Sequence, residues 1–523
     1  MLRMRKLVTL LLVVVAISAY GQVPEASILW QKGYGGGGLD AVSKHITKTS
    51  DGGFIISIGS NSTIGSGNLD SFCSLGGDRT IYLKYNSNAT MLEWVKCYTG
   101  GDIIFPIDNG DFIFVGITRT VPSGWAFEVN RKNSSGLILW QRSYGGQAAS
   151  AILRDMIAIQ DGGYLMFGET NYSDTDFTIH HGSWTNADFA LIKVDSNGNK
   201  MWSKVIGGSG DERAISIVSA PDDGCYIMGT TFSTDYDCTG NHGGDDIYLA
   251  RIDKNGNLVW QQLIGGSGGD NGNCAVSDGK GGVIVAGASN STDGDRTHFP
   301  SFGCPIWVLD VDSNSNILWN NCFGGGGGNC YANSICKATD GSIWMAGVST
   351  NAGAEVAMRY GVDDAWFVHA DSVGNFINAK VLGSRLWDRA TMVYPLSNAN
   401  VIGGGFYDDS GGSFIDPFEY YGGLEDAFLV VFTPSTTSIE VLPKAYTLNL
   451  YPNPSNILVK IELPENETGN VHIYNSMGQV MYSGRVLGHK TLAVSIADWA
   501  EGVYFVKWNG DNGAVVGGRF VKM

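Results

Sequence analysis

Charge is scarce in this chain: 16% of its 523 residues are charged, and 34 Lys and Arg are outnumbered by 51 Asp and Glu. The net charge of −17 disfavours nucleic acid and anionic membranes as partners, because both repel an acidic surface. Proline is also rare (13 residues), whereas glycine is abundant (73) and 43% of the chain is hydrophobic. That balance indicates many tight turns in a folded chain rather than disorder. Helical periodicity is absent, so we expect an all-β protein.

Several signatures of chemistry are missing as well. The sequence has no CxxC or Cys/His spacing typical of a metal site and no Lys-Ser/Thr after its glycine-rich stretches. The glycine-rich stretch 265–269 (GGSGG) has no strand–turn–helix context, so we expect no nucleophile elbow of the GxSxG kind. Nine cysteines are an odd number, so at least one thiol is left over. Cys225 with Cys238, and two of Cys322, Cys330 and Cys336, are close enough in sequence to pair. Buried unpaired thiols are the equal alternative.

A single apolar run, residues 7–17, follows three basic residues near the N-terminus. It is too short and wrongly flanked for a membrane span, and small residues at the −3 and −1 positions precede Gln22. Residues 1–21 are therefore predicted to be a signal peptide, with an uncleaved anchor as the alternative. No second apolar stretch approaches ~18 residues, so we expect no membrane insertion after its removal.

Between residues 22 and 433 one pattern recurs seven times. Its clearest copy runs from Asp188 through an Asp195-Ser-Asn-Gly-Asn199 turn to Trp202, and the next runs from Asp246 to Trp260. A period of about 60 residues with short alternating strands is typical of a β-propeller. We interpret the repeated tryptophans as packing between blades. They and the isoleucine that replaces the last of them are Trp30, Trp94, Trp140, Trp202, Trp260, Trp319 and Ile377.

Each repeat supplies four strands, which we term a, b, c and d from the centre outwards. The fourth copy predicts them at 214–219, 225–231, 246–252 and 258–264. Asp-Gly-Gly turns precede strand b, and Asp-x-Asn-Gly-Asn turns join c to d, because Asn and Gly tolerate positive φ. Only six d strands follow a c strand, and the missing one is residues 28–34. We expect a seven-bladed propeller in which this N-terminal strand closes the last blade and removes a free sheet edge.

The C-terminal residues form a different pattern. Ala445 opens a stretch that contains Pro452-Asn453-Pro454, followed by Met-Gly478-Gln479, Gly502-Val-Tyr504 and a final strand that ends at Lys522. These elements, in this order and spacing, resemble the type A sorting domain of the Bacteroidetes type IX secretion system. The resemblance implies a small immunoglobulin-like β-sandwich (445–523) behind a linker (434–444), and the type IX machinery as a partner. It also implies an extracellular or outer-surface location. Residues 22–435 resemble the propeller-like repeats common beside such tails.

Antiparallel order places the b–c and d–a loops on one side of every blade. The b–c loops are long and dissimilar, as binding loops usually are. Exposed aromatic rings beside carboxylates and amides suit a sugar ligand, although the same aromatics could simply pin long loops. The candidate ligand-binding residues are His180, His181, Trp184, His242, His298, Phe299, Tyr420 and Tyr421.

Two aspartate pairs in these loops also invite a calcium site. Asp235 with Asp237, and Asp293 with Asp295, carry the hard oxygen ligands that calcium prefers, but neither pair continues into the twelve-residue calcium loop. We expect no other cofactor. The sequence favours a non-enzymatic binding or adhesion module for glycan or protein. The alternatives are a propeller hydrolase or lyase acting on polysaccharide and a passive surface-layer component.

Overall fold

The computed structural model describes residues 26–62, 67–69, 78–98, 103–107, 110–120, 124–146, 150–296, 304–324, 330–350, 360–408, 425–433, 448–462, 468–475, 480–487, 491–510 and 515–523. The predicted signal peptide and linker lie outside these ranges. The chain divides into two compact units, Met1–Pro434 and Ser435–Met523, here the repeat unit and the tail unit. In the described ranges, no helix is of a length and apolarity that would span a bilayer.

The repeat unit is built from short antiparallel strands. They are β1 (Ser27–Tyr34), β2 (Asp40–Lys48), β3 (Phe54–Ser60), β4 (Arg79–Tyr85), β5 (Leu92–Tyr98), β6 (Ile103–Pro106), β7 (Phe112–Thr120), β8 (Gly124–Lys132), β9 (Ile138–Tyr144), β10 (Ala151–Ala158), β11 (Tyr164–Thr170), β12 (Asp188–Val194), β13 (Lys200–Ile206), β14 (Glu212–Ser219), β15 (Cys225–Thr231), β16 (Asp246–Ile252), β17 (Leu258–Ile264), β18 (Asp270–Ser277), β19 (Val283–Ser289), β20 (Cys304–Val311), β21 (Ile317–Phe323), β22 (Tyr331–Lys337), β23 (Ile343–Ser349), β24 (Asp364–Ala370), β25 (Phe376–Leu382), β26 (Asp388–Pro395), β27 (Val401–Tyr407) and β28 (Asp426–Thr433).

Among the described residues these strands form seven four-stranded sheets, each in the order a-b-c-d. Strands b and c are buried along their whole length in several sheets, as in β15 and β16, whereas the d strand β17 is half exposed. Strands b and c are covered on both faces by the neighbouring sheets, and their sequences are accordingly almost continuously apolar. The repeated sheets are consistent with propeller-like blades.

The hydrophobic clusters lie between adjacent sheets rather than within one. One cluster joins Phe167 and Leu191 to Ile227 and Tyr248 of the following sheet. The predicted role of the tryptophans in packing between sheets is confirmed for Trp202: its Nε1–H donates to the Lys254 carbonyl in the next c–d turn, 3.3 Å away. Trp260 makes the equivalent bond to the Ser313 carbonyl at 2.9 Å. These two sheets are therefore hydrogen-bonded to the c–d turns of the sheets that follow them.

The first strand completes the last sheet. Strand β1 pairs antiparallel with β28, and Trp30 lies opposite Val431. A further cluster joins Leu429 of that sheet to Ile56 of the first sheet, and β26 packs against β2. The predicted pairing of the N-terminal strand with the last c strand is confirmed, and no other strand borders β28 on that side within the described residues.

Both predicted disulfide options, Cys225 with Cys238 and a pair among Cys322, Cys330 and Cys336, are wrong. Cys225, Cys238, Cys274, Cys330 and Cys336 are free and buried. Cys225 begins strand β15, whereas Cys238 follows the far end of that strand, so the two thiols are separated by the length of a seven-residue strand. The alternative of buried free thiols holds for these five residues. Cys97 and Cys322 are each in a disulfide.

The tail unit is also all-β in its described part. Its strands are β29 (Asn449–Tyr451), β30 (Leu458–Glu462), β31 (Thr468–Tyr474), β32 (Val480–Leu487), β33 (Thr491–Ser495), β34 (Gly502–Gly510) and β35 (Val515–Lys522). They form a three-stranded sheet, β29-β30-β33, and a four-stranded sheet, β32-β31-β34-β35. One cluster packs both sheets together around Val459, Ile473 and Trp508.

Candidate functional site

The candidate site lies where the b–c and d–a loops of neighbouring sheets meet, a surface that we term the b–c face. The meeting is direct: the Asn186 side-chain amide of one b–c loop donates to the Ser209 carbonyl of a d–a loop at 2.9 Å. The Ser209 N–H in turn donates to Asp235 Oδ1 of the next b–c loop at 2.7 Å. Loops from successive sheets therefore form one continuous surface.

Two of the predicted histidines hold equivalent positions on this face. The His181 N–H and ring Nδ1 contact Asp188 Oδ2 at 2.6 and 3.2 Å. The His242 N–H and Nδ1 contact Asp246 Oδ2 at 2.8 and 2.9 Å. Each aspartate is the first residue of a c strand, so a rigid strand end positions each histidine. His180 differs, since its Nε2–H donates to the Asn186 carbonyl at 2.9 Å.

Buried carboxyl groups lie directly beneath these histidines. Asp188, Glu212, Asp246 and Asp270 are each 0% exposed. Burial raises the pKa of Asp188, Glu212 and Asp246, although hydrogen bonds from the surrounding N–H and hydroxyl groups oppose the rise. These groups sit at the starts of c and a strands, where neighbouring sheets meet, and not at the solvent surface.

The predicted calcium ligands hold the loops in place. Asp293 Oδ1 accepts the Ser267 N–H at 2.7 Å, and Asp295 Oδ2 accepts the Gly265 N–H at 3.1 Å. Asp235 makes the same bond to Ser209 as Asp293 makes to Ser267, and these backbone donors lower the pKa of both carboxyl groups. The Asp237 N–H donates to the Gly207 carbonyl. No group of three or more His, Cys, Asp or Glu able to hold a metal occurs among the described residues, and calcium at these positions stays a prediction.

Exposed aromatic side chains gather on the same face. Trp184 is 74% exposed and Tyr236 65% exposed, and the Tyr236 ring lies 4.6 Å from the His181 ring. Tyr172 and Phe232 extend the set in b–c loops, and Trp387 does so in a d–a loop. Flat apolar surface beside carboxylates and amides is an arrangement that can stack on the face of a sugar ring while the polar groups bind its hydroxyls.

A cavity of about 550 Å³ lies elsewhere in the repeat unit. Residues from all seven innermost strands line it, among them His45 and Asp155, whose Nδ1 and Oδ1 atoms are 3.8 Å apart. Asp155 also accepts hydrogen bonds from the Ser216 hydroxyl and the Ile217 N–H of the next sheet. Sequence reasoning did not identify these two residues. Aligning the a strands of all repeats would have shown that they share a strand facing the centre.

Four predicted ligand-binding residues, His298, Phe299, Tyr420 and Tyr421, lie outside the described residues. The buried carboxyl groups were not predicted as a set, although a signal exists: an acid opens both a c strand and the next a strand in several repeats, as at Asp246 and Asp270.

In the tail unit the sorting motif assembles around the final strand. The Asn453 side chain donates to the Arg519 carbonyl at 3.1 Å and accepts the Val521 N–H at 3.0 Å. Pro452 and Pro454 flank this asparagine, and Gly502 lies opposite Lys522 in the strand pair. Tyr504 is buried and stacks on Phe520, with ring centres 5.5 Å apart. Gly478 and Gln479 lie outside the described residues.

Comparison with known protein families supports the resemblance of the tail unit to a sorting domain. Residues 449–522 match the family profile described as "Secretion system C-terminal sorting domain". The tail is a type IX sorting domain, which implies interaction with the type IX machinery and export to the cell surface or extracellular space. No curated protein sequence matches the chain.

Solved structures show only distant likeness. The extracellular domain of a protein described as a hybrid two component system from B. thetaiotaomicron is 11% identical, with a TM-score of 0.38 over 94% of this chain and 60% of that one. A puromycin hydrolase mutant is 12% identical, with a TM-score of 0.41 over 80% of this chain and 58% of that one. The chain thus spans about three fifths of the length of both structures. At such scores the likeness supports neither an activity nor a ligand.

Proposed function

Starting from a chain that carries a type IX sorting tail, we propose that its repeat unit is a seven-bladed β-propeller, exported after removal of a signal peptide, and that its tail unit is an immunoglobulin-like sandwich. The propeller is a non-enzymatic binding module that holds a glycan on the b–c face. The domain limits proposed are 1–21, 22–433, 434–444 and 445–523. Seven four-stranded sheets and the β1–β28 pairing support the propeller.

One observation carries the binding role: five exposed aromatic side chains lie on one face of the repeat unit. Trp184, Tyr236, Tyr172, Phe232 and Trp387 all leave loops at the same ends of the strands. Exposing a large aromatic ring to water costs free energy, so several exposed rings on one face favour a surface that another molecule covers. Neighbouring amides and carboxylates, such as those of the b–c loops, supply hydrogen-bond partners for hydroxyl groups.

The buried carboxyl groups favour binding over catalysis. A glycoside hydrolase needs two carboxyl groups that reach the scissile bond. Four carboxyl groups at the sheet junctions are fully buried beneath the loops and are not open to a substrate; they are Asp188, Glu212, Asp246 and Asp270. They are therefore better suited to holding the sheets together, a role developed below.

The test is a glycan array and a polysaccharide depolymerisation assay on the purified full chain. We expect binding without product release, and we expect Trp184→Ala and Tyr236→Ala to weaken it without lowering Tm. The matched controls are Leu318→Ala and Val259→Ala, which remove exposed apolar side chains from outer d strands. Product release would favour the hydrolase or lyase, and equal losses in all four variants would refute the b–c face as the binding surface.

A further inference from the structure

Pairs of buried carboxyl groups meet at the junctions between adjacent sheets. A Cβ added to Gly207 would lie 2.3 Å from Asp188 Oδ1 and 2.7 Å from Glu212 Oε2. A Cβ added to Gly265 would lie 2.3 Å from Asp246 Oδ1 and 2.6 Å from Asp270 Oδ2. In each junction the two oxygens are thus at most about 5 Å apart, and each pair joins a c strand to the a strand of the next sheet.

In each pair, the facing oxygen on the a strand has hydrogen-bond donors, whereas the facing oxygen on the c strand has none. Glu212 Oε2, which faces Asp188, accepts the Gly208 N–H at 2.9 Å, and Oε1 accepts the Thr231 and Ser233 hydroxyls, both at 2.7 Å. Asp270 Oδ2 accepts the Gly266 N–H at 2.8 Å and the Ser291 hydroxyl at 2.6 Å. By contrast, the facing Oδ1 atoms of Asp188 and Asp246 are buried and receive no N–H or hydroxyl donor. Two ionised carboxylates would therefore face each other in a dry junction, which is costly.

The Asp188 and Glu212 side chains approach each other at hydrogen-bond range. A hydrogen bond between two carboxyl groups requires that one of them carries a proton. A calcium ion is a poorer fit, since it takes six to eight oxygen ligands and each junction offers one carboxyl oxygen from either side. A proton satisfies both oxygens without further ligands.

We propose that Asp188 with Glu212, and Asp246 with Asp270, each share one proton across a sheet junction, so that these junctions are proton-binding sites beneath the b–c face. Loss of that proton to solvent leaves two facing carboxylates that repel each other. The same aspartates hold the His181 and His242 loops through their Oδ2 atoms. Deprotonation therefore loosens the candidate binding face together with the junction.

A third junction shows the same construction. An added Cβ on Gly383 would lie 2.0 Å from Asp364 Oδ1, and Asp388, which opens the next a strand, is fully buried. Burial, with the nearby Asp364 charge, raises the pKa of Asp388 to about 7 although Ser384 donates two hydrogen bonds to it. The repetition at equivalent positions argues for a built feature of the repeat rather than a local accident.

Other titratable groups surround both pairs, and a test must distinguish their contributions to the pH dependence from that of the carboxyl pairs. Around the first pair they are His181, Asp235, Asp237 and Cys238, and around the second they are His242, Asp245, Asp293, Asp295 and Arg296. The histidines are the critical ones, because an unperturbed imidazole titrates near pH 6.5.

The experiment measures Tm of the full chain from about pH 5 to about pH 8.5, a range that lies above the ordinary carboxyl pKa. The variants are Asp246→Asn and Asp270→Asn, which supply a permanent N–H donor in place of the proton. We expect the wild-type Tm to fall as pH rises, because a group whose pKa is raised by folding stabilises the fold only while protonated. Both variants should show a shallower fall and a higher Tm than the wild type at the alkaline end.

Asp253→Asn is the matched control. This partly exposed aspartate lies in the c–d turn of the same sheet and accepts the Asn255 and Asn257 N–H groups, which lower its pKa, so its loss should reduce Tm at neutral pH. His242→Gln removes the imidazole and so shows how much of the pH dependence of Tm comes from the histidine rather than from the carboxyl pair. The proposal is overturned if Asp246→Asn and Asp270→Asn keep the wild-type pH slope, if His242→Gln alone abolishes it, or if calcium raises Tm in the wild type but not in the variants.

An infrared difference spectrum of the wild-type chain serves as a second readout that does not depend on how the variants fold. We expect a protonated-carboxyl C=O band at neutral pH that disappears at alkaline pH. Absence of that band at neutral pH would overturn the proposal.

Discussion

The c–d turns offer a pair of substitutions with opposite expected signs. Gly256 has a φ of +83° in one turn, and Ser315 has a φ of +66° at the same position of the next turn. A non-glycine residue pays about 1–2 kcal/mol for this left-handed conformation. Removing a glycine recovers about 0.4–1 kcal/mol of unfolded-chain entropy.

Packing adds to the cost at Gly256. An added Cβ would lie 3.0–3.1 Å from ring carbons of Trp202, the side chain that fastens the preceding sheet to this turn. Overpacking of this kind costs about 1 kcal/mol or more. We therefore expect Gly256→Ala to destabilise the repeat unit by about 2 kcal/mol. We expect Ser315→Gly to stabilise it by about 0.5–1 kcal/mol, because only the backbone terms change.

The assay is thermal unfolding of the full chain followed by tryptophan fluorescence, in which Gly256→Ala should lower Tm by about 2–4 °C. Gly279→Ala is the control for the backbone term, since Gly279 has a φ of +70° and nothing lies within 4 Å of an added Cβ. Its Tm loss should be clearly smaller than that of Gly256→Ala. Equal losses would refute the contribution of the Trp202 contact, and a destabilising Ser315→Gly would refute the backbone argument.

Three further predictions concern buried or motif side chains. Burial lowers the pKa of His369 to about 4, so stability should be lost as pH falls from about 6.5 towards 4, by about 3 kcal/mol at most; acid melts should show that His369→Phe removes this loss. Thiol labelling of the native chain should leave Cys225 and Cys238 unmodified, because both are free and buried; denaturation without reductant should expose them, and failure to label then would indicate a disulfide. Asn453→Ala removes both hydrogen bonds to the last strand, β35, and should reduce the amount of protein at the cell surface. The control is Asn470→Ala in β31, and unchanged export of Asn453→Ala would refute a role for this contact.

Strand positions within a repeat were largely predictable. The predicted strands at 225–231, 246–252 and 258–264 coincide with β15, β16 and β17, because alternation, apolar runs and turn residues are local signals. The a strand begins at Glu212 rather than at residue 214. Its first two residues pair with Thr231 and Thr230 of the adjacent b strand. Local sequence patterns do not specify how far such a pairing between strands extends.

The candidate site was predictable only in part. Loop length and composition led to the prediction of a binding site on one side of the sheets, but they did not predict that His181, Asp188 and Glu212 lie together. These residues meet because the c strand of one sheet begins beside the start of the a strand of the next. The predicted pairing of Cys225 with Cys238 failed for the same reason, since nearness in sequence was taken for nearness in space.

The sequence alone determined the export route and the repeat. The Pro452-Asn453-Pro454 motif and the Asp-x-Asn-Gly-Asn turns are contiguous, and their backbone requirements are met by their own residues. Only the tertiary structure decided which groups share an environment. Whether Asp246 and Asp270 are separate surface acids or a buried pair depends on the packing of two sheets, because burial and the distance to another charge, rather than residue type, set the energy of a carboxyl group.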